Sequence, residues 1–111
     1  MKINSFLVSL IILLGTSLIN SHVKAQDGEQ LVSDAMCYAC HQMQQASLGP
    51  PWQAIAARHA TNSEVMTDVL AGKIIRGGGG NWGNVPMVPN QRVNQEQAEI
   101  MVEWILGLSP Q

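Results

Sequence analysis

The sequence is poor in the residues that mark nucleic-acid, zinc-cluster and membrane-spanning proteins. Six residues are basic, and two of them, Lys2 and Lys24, fall within the first 25 positions. Beyond that point only Arg58, Lys73, Arg76 and Arg92 face eight acidic side chains. Four dispersed cations make no basic stripe, which sets nucleic acid aside as a partner. Cysteine is scarce as well, with two in 111 residues. A structural zinc site wants four ligands. Cys37, Cys40 and His41 leave His59 as the obvious fourth, and adjacent Cys40 and His41 suit a tetrahedron poorly. A thioredoxin-type reading of Cys37 and Cys40 needs a strand–helix–strand setting, and no stretch reads as a convincing strand. A long apolar run is also missing. The run from Phe6 to Ile19 contains Ser9, Gly15, Thr16 and Ser17, and falls short of the roughly 20 apolar residues that span a bilayer. Internal repeats, low-complexity linkers and charge blocks are absent too.

What is present starts with a leader. Lys2 precedes the apolar stretch Phe6 to Leu14, and Val23-Lys24-Ala25 offers a small-residue cleavage pattern. Residues 1–25 are therefore expected to be a cleaved export signal, and residues 26–111 one small domain. No cysteine precedes Cys37, so no lipid can be attached near the cleavage point, and no stable membrane insertion follows. A chain of this size buries a modest fraction of its surface and benefits from a covalent staple.

Four helices can be read along that domain, giving an all-α class. The first runs from about Gly28 to Cys40, with Asp27 as N-cap and Leu31, Val32 and Ala35 on its apolar face. The second covers Pro51 to Arg58, with proline in the first turn. The third starts at a capping box, Thr61 with Glu64, carries Val65, Val69, Leu70 and Ile74 at helical spacing, and stops at the glycines 77–80. The fourth starts at Asn94 with Gln97 three residues on, presents Ala98, Met101, Val102, Ile105 and Leu108, and stops near Gly107. The first and last helices are expected to pack together and close the core.

Cys37-Tyr38-Ala39-Cys40-His41 carries the chemistry. A C-x-x-C-H string is the attachment signature of c-type haem. Each thiol can form a thioether with one vinyl group, and the next imidazole is placed to bind the iron as its proximal ligand. The iron's sixth position decides between ligand binding and electron transfer. Met36 and Met43 lie beside the attachment motif, Met66 and Met101 read as helix core, and His59 as a surface or half-buried histidine. Met87 sits in a loop stiffened by Pro86 and Pro89, far enough past His41 to return on the opposite face. On context alone, a proline-rich surface turn with an incidental methionine stays open.

These pieces resemble the small soluble bacterial monohaem cytochromes c of class I. The resemblance covers essentially the whole mature chain. It rests on Cys37-Tyr38-Ala39-Cys40-His41, Gly49-Pro50, Leu70-Ala71-Gly72-Lys73-Ile74, Trp82-Gly83-Asn84-Val85-Pro86-Met87-Val88-Pro89-Asn90 and Trp104-Ile105-Leu106. It implies that Cys37 and Cys40 carry the thioethers of one haem c, that His41 and Met87 ligate the iron, and that Pro50 accepts the other imidazole N–H. It further implies Asn90 beside the methionine sulfur, and Trp82 and Lys73 on a haem propionate. Two positions depart from the family. Val88 stands where many relatives have proline, and His59 where an aromatic or apolar side chain is expected.

The function implied is electron transfer in the bacterial periplasm by a monomer that meets its redox partners transiently. It is not an enzyme: no second attachment motif is present, and no paired carboxylates stand beside a nucleophile. A fixed haem subunit of an exported dehydrogenase is the alternative, and an open-site ligand-binding haem protein a more distant one.

Overall fold

The computed structural model describes residues 27–108. The expected leader and its cleavage point lie outside the described residues. Four α-helices follow in order: α1 (27–34), α2 (Trp52–Arg58), α3 (Ser63–Arg76) and α4 (Gln95–Leu106), with one 3-10 turn, Cys37–Ala39, between the first two. Among the described residues, β-structure is confined to a single antiparallel bridge between Gly78 and Met87. The domain is all-α, as expected.

α1 is shorter than its pattern suggests. Asp27 already lies inside the helix, and the helix stops at residue 34 instead of running on to Cys40. The Met36 N–H bonds three residues back to the Ser33 carbonyl at 3.0 Å, and Met36 itself takes a left-handed φ of 63°. That reversal starts the 3-10 turn holding the motif, where Cys40 and His41 both donate to the Cys37 carbonyl. Nothing in Ala35-Met36-Cys37 carries a helix-stop signal such as glycine, so tertiary packing overrides local propensity here.

α2 ends at Arg58 as expected but begins at Trp52, one residue later, with Pro51 as an extended N-cap instead of lying in the first turn. α3 begins one residue later than the capping box implies. Asn62 is its N-cap, with no side-chain cap bond, so the third helical position is Val65 and Glu64 cannot close a box with Thr61. α3 is also rotated. Val65 and Val69 are 72 % and 52 % exposed, while Ala71, Gly72 and Ile74 turn inward. Ala71 shares the buried core with Ala98 of α4, while Gly72 lies under the Arg76 guanidinium of its own helix. Gly77 ends α3 with φ +70°, a value that glycine adopts at little cost.

α4 meets expectation in detail. Its capping box is complete: the Gln97 N–H donates to Asn94 Oδ1 at 2.9 Å and the Asn94 N–H to Gln97 Oε1 at 3.0 Å. Ala98, Met101, Val102 and Ile105 form its buried stripe. One core joins these to Val32, Ala35, Cys37, Trp52, Ala71 and Ile74. α1 packs on α4 as expected, and very closely: a β-carbon at buried Gly28 would collide with Trp104 and crowd the Ile100 carbonyl.

Candidate haem-binding site

The reversal at Met36 places Cys37 in the core and leaves Cys40 half-buried. Burial is the main force pushing the Cys37 thiol above its ordinary value; the Cys37 backbone opposes it, and Cys40 adds to it. Burial likewise raises the Tyr38 phenol, helped by Glu29 and Cys37.

His41 is 7 % exposed and held on several sides. Its Nδ1 lies 2.7 Å from the Pro50 carbonyl oxygen. A carbonyl can only accept, so Nδ1 carries the proton, and Nε2 keeps its lone pair for a metal. The Trp52 indole stacks on the imidazole, centroids 4.3 Å apart and planes 18° from parallel. A β-carbon on Gly49 would stand 2.6 Å from His41 Cε1, so the loop passes over the ring only because residue 49 has no side chain. α2 and the motif are laced together by Trp52 N–H to the Gln42 carbonyl and Gln53 N–H to the Met43 carbonyl. Sequence reasoning placed Trp52 only within a helix. A lone tryptophan carries no signal for such a stack, and the structure supplies it.

Met87 is half-buried and packs on the same core that holds Cys37. Met87 and Gly78 exchange both backbone N–H···O bonds at 2.9 Å. A β-carbon at Gly77 would meet the Met87 carbonyl and the Pro89 nitrogen, so the end of α3 presses directly on this segment. Asn90 fastens the far end. Its N–H donates to the Ile74 carbonyl, and its side-chain Nδ2 donates to the Ala35 carbonyl, both at 3.0 Å. The Asn90 amide is thus engaged with the end of α1, where the resemblance points it toward the methionine sulfur. Lys73 is half-buried beside Gly78, and Trp82 is 45 % exposed with the Arg58 guanidinium 4.6 Å above its ring. His59 is half-buried, its N–H donating to the Ile55 carbonyl.

The donor set suits an iron held in a macrocycle better than a bare ion. Among the described residues, no three His, Cys, Asp or Glu side chains converge on one point. Two thiols and one oriented imidazole, by contrast, are what a covalently attached haem requires. The Trp52 Nε1–H adds a buried donor that finds no acceptor among the described residues.

The family model for cytochrome c matches residues 25–109. The chain belongs to the cytochrome c family. It is 41 % identical over 95 residues to cytochrome c-551 of Stutzerimonas stutzeri, covering 86 % of this chain and 89 % of that one. It is 40 % identical over 80 residues to cytochrome c-552 of Hydrogenobacter thermophilus, covering 72 % and 80 %. Among solved structures, the crystal structure of Nitrosomonas europaea cytochrome c552 superposes with a TM-score of 0.69 at 38 % identity, covering 73 % of this chain and 99 % of that one. The protein is a small monohaem class I cytochrome c, and haem c is bound covalently through the C-x-x-C-H motif at Cys37, Cys40 and His41. It is an electron carrier and not an enzyme. No helix among the described residues is long and apolar enough to cross a membrane.

Proposed function

We propose that this cytochrome is exported, loses residues 1–25, and shuttles electrons in the periplasm as a monomer, with His41 and Met87 as the residues that would hold its haem iron. The observation that carries the ligation is the 2.7 Å contact between His41 Nδ1 and the Pro50 carbonyl. It fixes the tautomer, turns Nε2 outward as a donor, and strengthens that donor through the second hydrogen bond. Haem supplies an iron that takes and gives one electron. Trp52 stacking and the Gly49 contact hold the imidazole plane, which would limit how far His41 shifts between oxidation states. Met87 brings a thioether, which favours the reduced state relative to a second histidine. The Gly78 bridge and the flanking prolines limit its travel. Trp82 and Lys73 would bind a propionate, each through an N–H donor. Partners would meet the protein through a small, transient interface.

The test is optical. The ferric protein should show the weak long-wavelength iron–sulfur charge-transfer band, and Met87→Ala should abolish it and let carbon monoxide bind the reduced form. A band that survives Met87→Ala removes Met87 from the ligand set. Mass spectrometry of the exported protein tests the rest, since cleavage before Gln26 with one haem attached gives a single expected mass.

A further inference from the structure

Residues 79–86 leave the core at the Gly78–Met87 bridge and return to it eight residues later. Every one of them is exposed. No atom lies within 4 Å of a β-carbon built on Gly80 or Gly83, so protein packing is open at those two positions. The segment is nonetheless gripped from outside. Arg58, in the last turn of α2, donates from Nη1 to the Asn81 carbonyl at 2.8 Å and lays its guanidinium 4.6 Å above the Trp82 ring.

We propose that Arg58 is a positioning residue that clamps the 79–86 loop and thereby governs how readily Met87 leaves its place. The inference rests on the Met87 reading above. Met87 is the foot of the loop, and its N–H bond to Gly78 is the first link to break if the loop lifts. Arg58 acts at the loop's middle, at Asn81 and Trp82, and its grip would add to the propionate contact proposed for Trp82. Its two contacts oppose lifting in different ways: the hydrogen bond fixes the Asn81 backbone, and the cation–π contact fixes the plane of Trp82. The contact uses the ring face, so the indole N–H, which lies in the ring plane, stays available as a donor. α2 also carries Trp52, which stacks on His41. One seven-residue helix therefore reaches both sides of the site.

The experiment compares the wild-type haem protein with Arg58→Ala and Arg58→Lys. Amide hydrogen exchange is read at Met87, Gly78 and, as a core reference, Val102. The rate at which added imidazole bleaches the iron–sulfur band is read in parallel. Losing one exposed hydrogen bond and one exposed cation–π contact should speed exchange at Met87 and Gly78, and imidazole entry, by about tenfold in Arg58→Ala. Val102 should be unchanged, and Arg58→Lys should recover part of the loss. Wild-type rates at Met87 in Arg58→Ala overturn the clamp. Equal acceleration at Val102 also overturns it, because the effect is then global. If the wild type lacks the iron–sulfur band, the Met87 ligation fails instead, and the exchange rates still decide whether Arg58 holds the loop.

Discussion

Substituting Gly49 by alanine tests the confinement of His41 most directly. The added carbon would lie 2.6 Å from Cε1, 2.9 Å from Nδ1 and 3.0 Å from Nε2. Near-equal distances to the two nitrogens, with Cε1 nearer, place it over the face of the ring. Ordinary contact begins at 3.4 Å, so about 0.8 Å of movement is needed. The ring has little room to yield: Pro50 holds Nδ1 at 2.7 Å, and Trp52 lies stacked at 4.3 Å. The loop is held too, since the Gly49 N–H bonds the Cys40 carbonyl at 2.8 Å beside the attachment point. Gly49 does not have a positive φ, so the cost is steric alone. Overpacking of this kind costs about 1–3 kcal/mol. In a domain of this size that lowers Tm by about 5–20 °C. A displaced ring also weakens the Nδ1–H···O bond, which makes Nε2 a poorer donor and raises the reduction potential. Thermal unfolding of the haem protein and an equilibrium redox titration read the two effects separately. An alanine variant that unfolds within about 2 °C of wild type, at an unchanged potential, would refute the confinement.

Asn94→Ala removes the side-chain acceptor for the Gln97 N–H, leaving the backbone N–H bond to Gln97 Oε1, and should cost about 1 kcal/mol in guanidinium unfolding, whereas Thr61→Ala should cost almost nothing. Equal losses would return the α3 box to Thr61. Met36→Gly relieves a left-handed strain of about 1–2 kcal/mol against roughly 0.5–1 kcal/mol of added chain entropy, so stability should rise by up to about 1.5 kcal/mol. A loss would mean that the Met36 side chain supplies contacts the backbone argument ignores. Asn90→Ala leaves the Ala35 carbonyl without its donor and should lower stability by about 1–3 kcal/mol. If it instead erases the iron–sulfur band with unchanged unfolding, Asn90 acts on the sulfur.

The sequence is legible where the deciding interaction is local. Asn94 and Gln97 cap α4 three residues apart, and Ala98 to Ile105 follow at strict spacing, so that helix reads correctly from end to end. The attachment pentapeptide is local covalent chemistry and reads the same way. Around α3 the local signals compete. Thr61, Asn62 and Ser63 can all cap a helix, and tertiary packing selects the second of them. Its inward face is hidden for a related reason: small Ala71 sits in the core and Gly72 lies under the Arg76 guanidinium, while the more apolar Val65 and Val69 face outward. The site shows the same division. The donors are visible in the chain, but the Trp52 stack on His41, the Arg58 grip on Trp82 and the Asn90 bond to Ala35 join residues across folded elements. No motif spans those separations.

Asn90 shows why the two walls of the site behave as one object. Its backbone bonds the end of α3 at Ile74, and its side chain bonds the end of α1 at Ala35. Ala35 and Ile74 belong to the same buried cluster as Cys37, and Met87 packs against that cluster. The wall that carries Met87 is therefore referenced to the helix that delivers Cys37 and His41, and not merely draped beside it. Movement of either wall must break a hydrogen bond to a carbonyl at the core or disturb close packing, and each costs on the order of 1 kcal/mol or more. A one-electron carrier is fast when its ligands shift little between oxidation states. Hanging both proposed donors from backbone that is tied to a single core meets that need with few residues, none of them ionisable apart from the imidazole.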